Sequence, residues 1–245
     1  RPAIQTLDTT WTYAELQVRV NKIATVLVEH HGIRTGQRIL LRFPNSPLFA
    51  ACYLAVLKCG AVAVPTMPLL RCAELKVVAT KAAVNFAICD ARLCEELADG
   101  DIADVLMSDK LESKMAAASA KFDAVPTASD DVALIAFTSG TTGKPKGCMH
   151  FHSDVMSMCK TFSEQVLKPC AEDVFIGSPP LAFTFGLGGL LTFPLFAGAS
   201  TVLLEAAPPP VLAEAIEKTG ATICFTAPTA YKYLLTDDLP NKLGS

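Results

Sequence analysis

Phe137-Thr138-Ser139-Gly140-Thr141-Thr142-Gly143-Lys144-Pro145-Lys146-Gly147 is the stretch on which the reading of this chain turns. Three glycines, four hydroxyl side chains and two lysines fill its eleven positions. It follows directly on the apolar run Val132-Ala133-Leu134-Ile135-Ala136, which reads as a buried strand. The chain therefore leaves a sheet into a loop rich in hydrogen-bond donors and carrying local positive charge. Glycines let backbone N–H groups close on an anion with no Cβ in the way. Thr138, Ser139, Thr141 and Thr142 add hydroxyl donors, and Lys144 and Lys146 add charge. Such a loop suits a polyphosphate.

It is not the common phosphate loop. That motif places four residues between its first glycine and the Gly-Lys pair, then Ser or Thr, then a helix. Here two residues separate Gly140 from Gly143-Lys144, and Pro145 follows. Pro145 biases Lys144 away from helical geometry, so a phosphate-loop kinase or GTPase fails on spacing. The competing reading is a surface turn that binds nothing, the usual fate of a Gly/Ser/Thr cluster. The preceding strand, the two lysines and the length of the pattern favour phosphate.

Outward from the loop, composition narrows the classes. The chain has 245 residues, of which 51% are hydrophobic and 18% charged, the balance of a globular protein. A net charge of −3 offers no basic field for nucleic acid. Nine cysteines, an odd number without a Cys-x-x-Cys pair, fit buried free thiols in a reducing, cytoplasmic setting better than disulfides or zinc. Residues 181–204 are apolar enough to raise a membrane span. Their punctuation by Gly186, Gly188, Gly189, Pro194 and Gly198 argues instead for a loop, a short buried helix and a strand, so no membrane partner is expected. No signal peptide is read. Arg1 in place of an initiator Met, and an end at Gly244-Ser245, read as cuts inside a longer protein.

Helices and strands alternate, which predicts α/β layers with mostly parallel sheets. Thr12-x-x-Glu15 is a capping box, and Leu16, Val20, Ile23 and Leu27 mark one face of the helix behind it, stopped by Gly32. Strands are predicted at 38–43, 61–64, 86–89, 103–107, 132–136, 174–177, 201–204 and 222–225. Ser46 and Pro47 start a helix that Gly60 stops. Further helices are predicted near 72–83, 91–98, 153–166 and from Pro208 to 218, and from Pro228 to 235. Residues 109–131 read as a surface helix and a linker.

The segment Thr138 to Gly147 resembles the signature loop of the adenylate-forming superfamily, which holds acyl-CoA synthetases, luciferases and peptide-synthetase adenylation domains. Gly147-Cys148-Met149-His150-Phe151-His152 and Ser178-Pro179-Pro180-Leu181-Ala182-Phe183-Thr184-Phe185-Gly186-Leu187-Gly188-Gly189 are similar to the benzoate and 2-aminobenzoate branch in particular. The resemblance implies two layered α/β lobes with mostly parallel sheets, as an incomplete N-terminal domain. One lobe is expected at about 37–168, the other at about 1–36 plus 169–245, with the C-terminal domain absent.

It also implies a reaction in two halves. A carboxylate attacks the α-phosphate of ATP to give an acyl-adenylate and pyrophosphate; a thiol, coenzyme A, then displaces AMP. Thr138, Ser139, Gly140, Thr141, Thr142, Gly143, Lys144 and Lys146 would hold the ATP phosphates, with Lys144 and His152 as the catalytic residues. For both lysines a solvated surface position is the competing reading. His150-x-His152 brings a metal pair to mind, but no third ligand is evident; Mg2+ is expected to find its ligand mainly downstream of residue 245. Phe183 takes the aromatic position of the acyl site, with Gly186 framing a flat pocket and Ala227 leaving room for a ring in a second wall. Plain core packing is the alternative for Phe183 and Phe185, and Tyr231 is left between core and site.

No Asp or Glu occurs between Ser178 and Ala199. A buried ammonium without a counter-charge is costly, so an aromatic acid fits better than an α-amino acid. The expected partners are therefore an aromatic acid, ATP and coenzyme A, with a homodimer left open. The competing functions are a medium- or long-chain acyl-CoA synthetase and a nucleotide-binding module without catalysis. Because the family's adenine, ribose and hinge motifs come later than residue 245, this chain alone is expected not to turn over.

Overall fold

A computed structural model describes residues 1–98, 102–138 and 145–235. Its strands are β1 (Pro2–Gln5), β2 (Thr10–Thr12), β3 (Arg38–Arg42), β4 (Val62–Thr66), β5 (Phe86–Cys89), β6 (Asp104–Met107), β7 (Val132–Thr138), β8 (Lys146–Phe151), β9 (Val174–Gly177), β10 (Ser200–Val202) and β11 (Ile223–Phe225). The α-helices are α1 (Tyr13–Thr25), α2 (Pro47–Lys58), α3 (Cys72–Ala82), α4 (Ser108–Ala117), α5 (His152–Met158), α6 (Thr184–Leu187), α7 (Phe193–Ala197), α8 (Pro209–Thr219) and α9 (Pro228–Leu234). The chain divides into two compact units: Arg1–Leu16 with Asn45–Pro47 and the described part of Met156–Ser245, and Gln17–Pro44 with Leu48–Val155.

The second unit is built on a six-stranded sheet in the order β6-β5-β3-β4-β7-β8, parallel except for β8, which runs antiparallel to β7. Ile39, Leu40 and Leu41 of β3 are consecutive and all fully buried, the mark of a parallel strand covered on both faces. On α3, Leu75, Val78 and Ala79 are spaced for one helical face, and they pack on Leu40, Val64, Ala87 and Cys89. Burying Leu75 and Val78 contributes about 1.5–3 kcal/mol each. The helix ends at Ala83 in the left-handed region, φ 49°. There the Arg38 guanidinium donates to the carbonyls of Ala82 (2.9 Å) and Ala83 (3.2 Å), placing a cation at the negative end of the helix.

The first unit carries a five-stranded sheet in the order β11-β9-β10-β1-β2, parallel except for β2. Leu212 and Ala215 of α8 pack on Ile176, Val202 and Leu204. The Pro208-Pro209-Pro210 run opens α8 because its first helical N–H groups need no partner within the helix.

The capping box predicted at α1 is present: Glu15 accepts the Thr12 amide (2.8 Å) and Thr12 accepts the Glu15 amide (3.2 Å). Several features depart from the sequence-based expectation, and β1 and β2 lie where no strand is predicted. Residues 146–151, where no strand is predicted, form β8; their Gly, Cys, Met and His content carries little strand preference, and pairing with β7 supplies it. Residues 91–97 wind as a tighter 3-10 helix, not an α-helix, started by Asp90 accepting the Arg92 amide. The helix expected at 153–166 begins at His152 and widens into a π-helix over Cys159–Leu167, closed by a bond from the Lys168 amide to the Ser163 carbonyl (2.7 Å). Among the described residues no helix is long and apolar enough to cross a membrane.

Candidate functional site

In the second unit, β7 and β8 form a hairpin whose register sets Thr138 opposite Lys146 and Val132 opposite Phe151. Thr138 ends β7, and Lys146 opens β8 with an exposed side chain. The two predicted phosphate contacts thus flank the loop at the same end of the hairpin. Ser139, Gly140, Thr141, Thr142, Gly143 and Lys144 lie outside the described residues.

His152 is placed elsewhere. It begins α5 at the other end of β8, about 20 Å from Lys146 at 3.3 Å per residue. Its amide donates to the Asp131 carbonyl (3.1 Å). His150 stays in the strand opposite Leu134. The strand ends at Phe151, so the two imidazoles do not share a strand face, and no group of three His, Cys, Asp or Glu gathers among the described residues. Among the described residues the two histidines thus do not by themselves make a metal site.

Two further contacts flank the loop. Gly147 faces the Phe137 ring, where a Cβ would come within 3.1 Å. Lys81 of α3 donates to the Pro145 carbonyl (2.6 Å) and also lines a cleft of about 520 Å3 with Arg38, Asp131, Ile135 and Met149.

In the first unit, Phe183, Gly186 and Ala227 leave the carboxyl ends of two adjacent strands. Residues 178–187 follow β9, and Ala227 follows β11, its parallel neighbour. Crevices at strand carboxyl ends are where open α/β sheets bind ligands. The exits are tied together: the Ser178 amide donates to the Phe225 carbonyl (3.0 Å), and the Ser178 and Thr226 hydroxyls lie 2.6 Å apart. Phe183 caps α6 and remains 39% exposed; its amide donates to the Pro180 carbonyl (3.0 Å). A ring that stands partly in solvent at a strand exit is not a core residue. Gly186 lies flat on the proline pair, and a Cβ there would meet the Pro180 oxygen at 2.1 Å. A Cβ on Gly189 would meet the Phe225 ring at 2.5 Å.

Phe225 is the centre of an aromatic cluster with Phe175, Phe185 and Phe193, at centroid distances of 6.3, 5.6 and 6.1 Å. Phe185 is thus edge-packed on the cluster while half exposed. Ala227 is exposed at the start of α9, its carbonyl accepting the Ala230 and Tyr231 amides. The Tyr231 hydroxyl donates to the Cys224 carbonyl (2.7 Å), and burial raises the phenol above its ordinary range, so it stays a neutral donor.

One buried polar residue here escaped sequence reasoning. Asn45 Nδ2 donates to the Pro179 carbonyl (3.0 Å), and Asn45 Oδ1 accepts the Leu181 amide (2.7 Å). Its partners lie 134 and 136 positions away, so no local pattern pointed to it.

Two mostly parallel α/β sheets of this kind are the fold of the N-terminal domain of adenylate-forming enzymes. The AMP-binding enzyme family matches residues 1–245, and the chain belongs to that family. Benzoate–CoA ligase of Thauera aromatica is 30% identical over 244 residues, covering 95% of this chain and 46% of its own. The crystal structure of the anthranilate CoA ligase AuaEII in complex with anthranoyl-AMP matches with a TM-score of 0.92 and 25% identity, over 98% of this chain and 48% of that one. ATP-bound MatB from Rhodopseudomonas palustris matches with a TM-score of 0.90 and 29% identity, over 100% and 50%. The chain spans about half the length of the curated relatives it matches.

Proposed function

We propose that the natural protein carrying these residues joins an aromatic carboxylic acid to coenzyme A through an acyl-adenylate. The observation that carries the reading is the donor-rich loop Thr138 to Lys146 set between two paired strands of an AMP-binding enzyme. In the first half-reaction a carboxylate oxygen bonds to the α-phosphorus of ATP and the bond to pyrophosphate breaks. In the second, the coenzyme A sulfur bonds to the acyl carbon and AMP leaves.

Thr138, Ser139, Thr141, Thr142 and the backbone of Gly140 and Gly143 offer donors to the β- and γ-phosphates, while Lys144 and Lys146 supply charge. Their task is to neutralise the leaving pyrophosphate and hold two anions that repel each other. His152, at the far end of β8, serves within this proposal a contact away from those phosphates. Phe183, Gly186 and Ala227 line the acid's ring. The names of two matched relatives, a benzoate and an anthranilate ligase, support a ring acid, as does the lack of any carboxylate from Ser178 to Ala199.

The test is acid-dependent exchange of pyrophosphate into ATP by the natural protein, with benzoate, 2-aminobenzoate and octanoate compared. Benzoate or 2-aminobenzoate is expected to drive exchange and octanoate to fail. Lys144→Ala is expected to slow it about 100- to 1,000-fold, the loss typical of one donor to developing charge. Exchange driven best by octanoate removes the aromatic assignment, and an unchanged Lys144→Ala rate removes Lys144 from the chemistry.

A further inference from the structure

Pro179 and Pro180 have no N–H, so the chain leaving β9 cannot be held by an ordinary strand ladder. The Pro179 carbonyl and the Leu181 amide point instead to one side chain, Asn45, which is 7% exposed. A primary amide presents one donor and one acceptor in the plane of a peptide. Asn45 therefore pairs with Pro179 and Leu181 as a neighbouring strand would. A Ser is too short to span both groups, and an ionised Asp lacks the donor.

What is pinned there carries the proposed acyl pocket. The Pro180 carbonyl, between the two clamped groups, accepts the Phe183 amide (3.0 Å) and is the surface on which Gly186 rests. Phe183 is too exposed for burial to fix it, so its place is inherited from the backbone beneath.

We propose that Asn45 is the positioning residue of the acyl pocket, its amide locking the Pro179–Leu181 backbone on which Phe183 and Gly186 are set. The inference rests on the proposed function for those two residues and adds to it a determinant of acid affinity that touches neither acid nor ATP.

The test uses Asn45→Asp. A neutral carboxylic acid at this position has the same donor and acceptor as the amide, whereas a carboxylate has no donor. Burial raises such a carboxyl, so the change falls between about pH 5 and about pH 8. Over that interval the KM for benzoate of the natural protein is expected to rise about tenfold in the variant relative to wild type, the size of one net hydrogen bond, with the KM for ATP unchanged. Hydrogen exchange gives a readout independent of activity. Protection at the Leu181, Phe183 and Leu187 amides is expected to fall over the same interval in Asn45→Asp, while Leu40 and Val64 of the other sheet keep theirs. Asn45→Leu, uncharged at every pH, is expected to lose the same local protection at both.

Local protection and benzoate KM that track wild type in both variants overturn the proposal. So does a loss of protection accompanied by equal rises in the KM for ATP and for benzoate, which is general loosening. A wild-type protein that ignores benzoate while the pH-dependent exchange in Asn45→Asp persists upholds the clamp and removes benzoate from the proposed function.

Discussion

Arg42 and Gly186 show how much of this fold rests on single residues. Arg42 is 1% exposed, and its guanidinium donates to the carbonyls of Leu93, Met67, Pro68 and Leu70 at 2.9–3.1 Å. One side chain thereby holds the turn after β4 and the 3-10 helix after β5. Nothing local in the sequence points to this role of Arg42, because its four partners are backbone atoms remote in the chain. Gly186 is the converse case. Its place in the Gly186, Gly188, Gly189 series marked a break in an apolar run, and the structure supplies the reason: there is no room above Pro180. Gly186→Ala is expected to destabilise the first unit by about 1–3 kcal/mol, the usual cost of forcing extra volume into a packed contact. Urea unfolding followed by near-ultraviolet circular dichroism measures it, and a midpoint equal to wild type would show that α6 lifts off the prolines freely.

Among elements, the 3-10 helix at Ala91–Leu97 carries its own acid sensitivity. Arg92 side-chain bonds hold the Asp90 carboxyl below its ordinary range; partial burial opposes them and the Arg92 backbone N–H adds to them. A depressed folded-state pKa contributes stability that is present above the unfolded value, about 4, and is lost as pH falls through the folded one. Asp90→Asn keeps an oxygen to accept the Arg92 amide and removes only the charge that pairs with the Arg92 guanidinium, so it is expected to cost about 0.2–1 kcal/mol at neutral pH. The gap from wild type should narrow towards pH 3, as paired urea titrations would record; a gap that stays constant means the charge contributes nothing.

Elements were legible where periodicity was strong. The α1 cap, α2 between Ser46 and Gly60, and the apolar strands of the six-stranded sheet follow from local pattern. β8 was not, since Lys146-Gly147-Cys148-Met149-His150-Phe151 takes its shape from β7 and not from its own preferences. For the same reason the loop's residue types could be read from sequence, while the distance of His152 from Thr138 could not, being set by the hairpin register.

For the whole molecule, the cysteines give a test of packing. All nine are free; Cys52, Cys59, Cys89 and Cys159 are buried, while Cys148 and Cys170 are exposed. The expectation of buried thiols thus holds for four and fails for these two. Burial pushes the Cys59 and Cys89 thiols up to about 12, so near pH 8 almost no thiolate exists there to react. Alkylation of the native protein, mapped by peptide mass, is expected to mark Cys148 and Cys170 first and the buried four only after unfolding. Equal labelling of Cys59 and Cys148 in native buffer would contradict the packing of α2. The two-sheet architecture was readable from alternating pattern and resemblance; the contacts that shape the pocket were not, because Asn45, Pro179, Phe225 and Gly189 meet only once the chain has folded.

The π turn of Gly188–Thr192, between α6 and α7, holds one residue more than an even spiral needs. Such a turn absorbs its extra residue locally, so removing one residue there would let 184–197 wind as one unbroken α-helix while the faces of α6 and α7 kept their directions. The change would fall on Gly188 and Gly189, where a Cβ would meet the Phe193 ring at 3.0 Å and the Phe225 ring at 2.5 Å. The widened turn is thus a local allowance for two rings against bare backbone, and its loss would be felt first in how those rings pack.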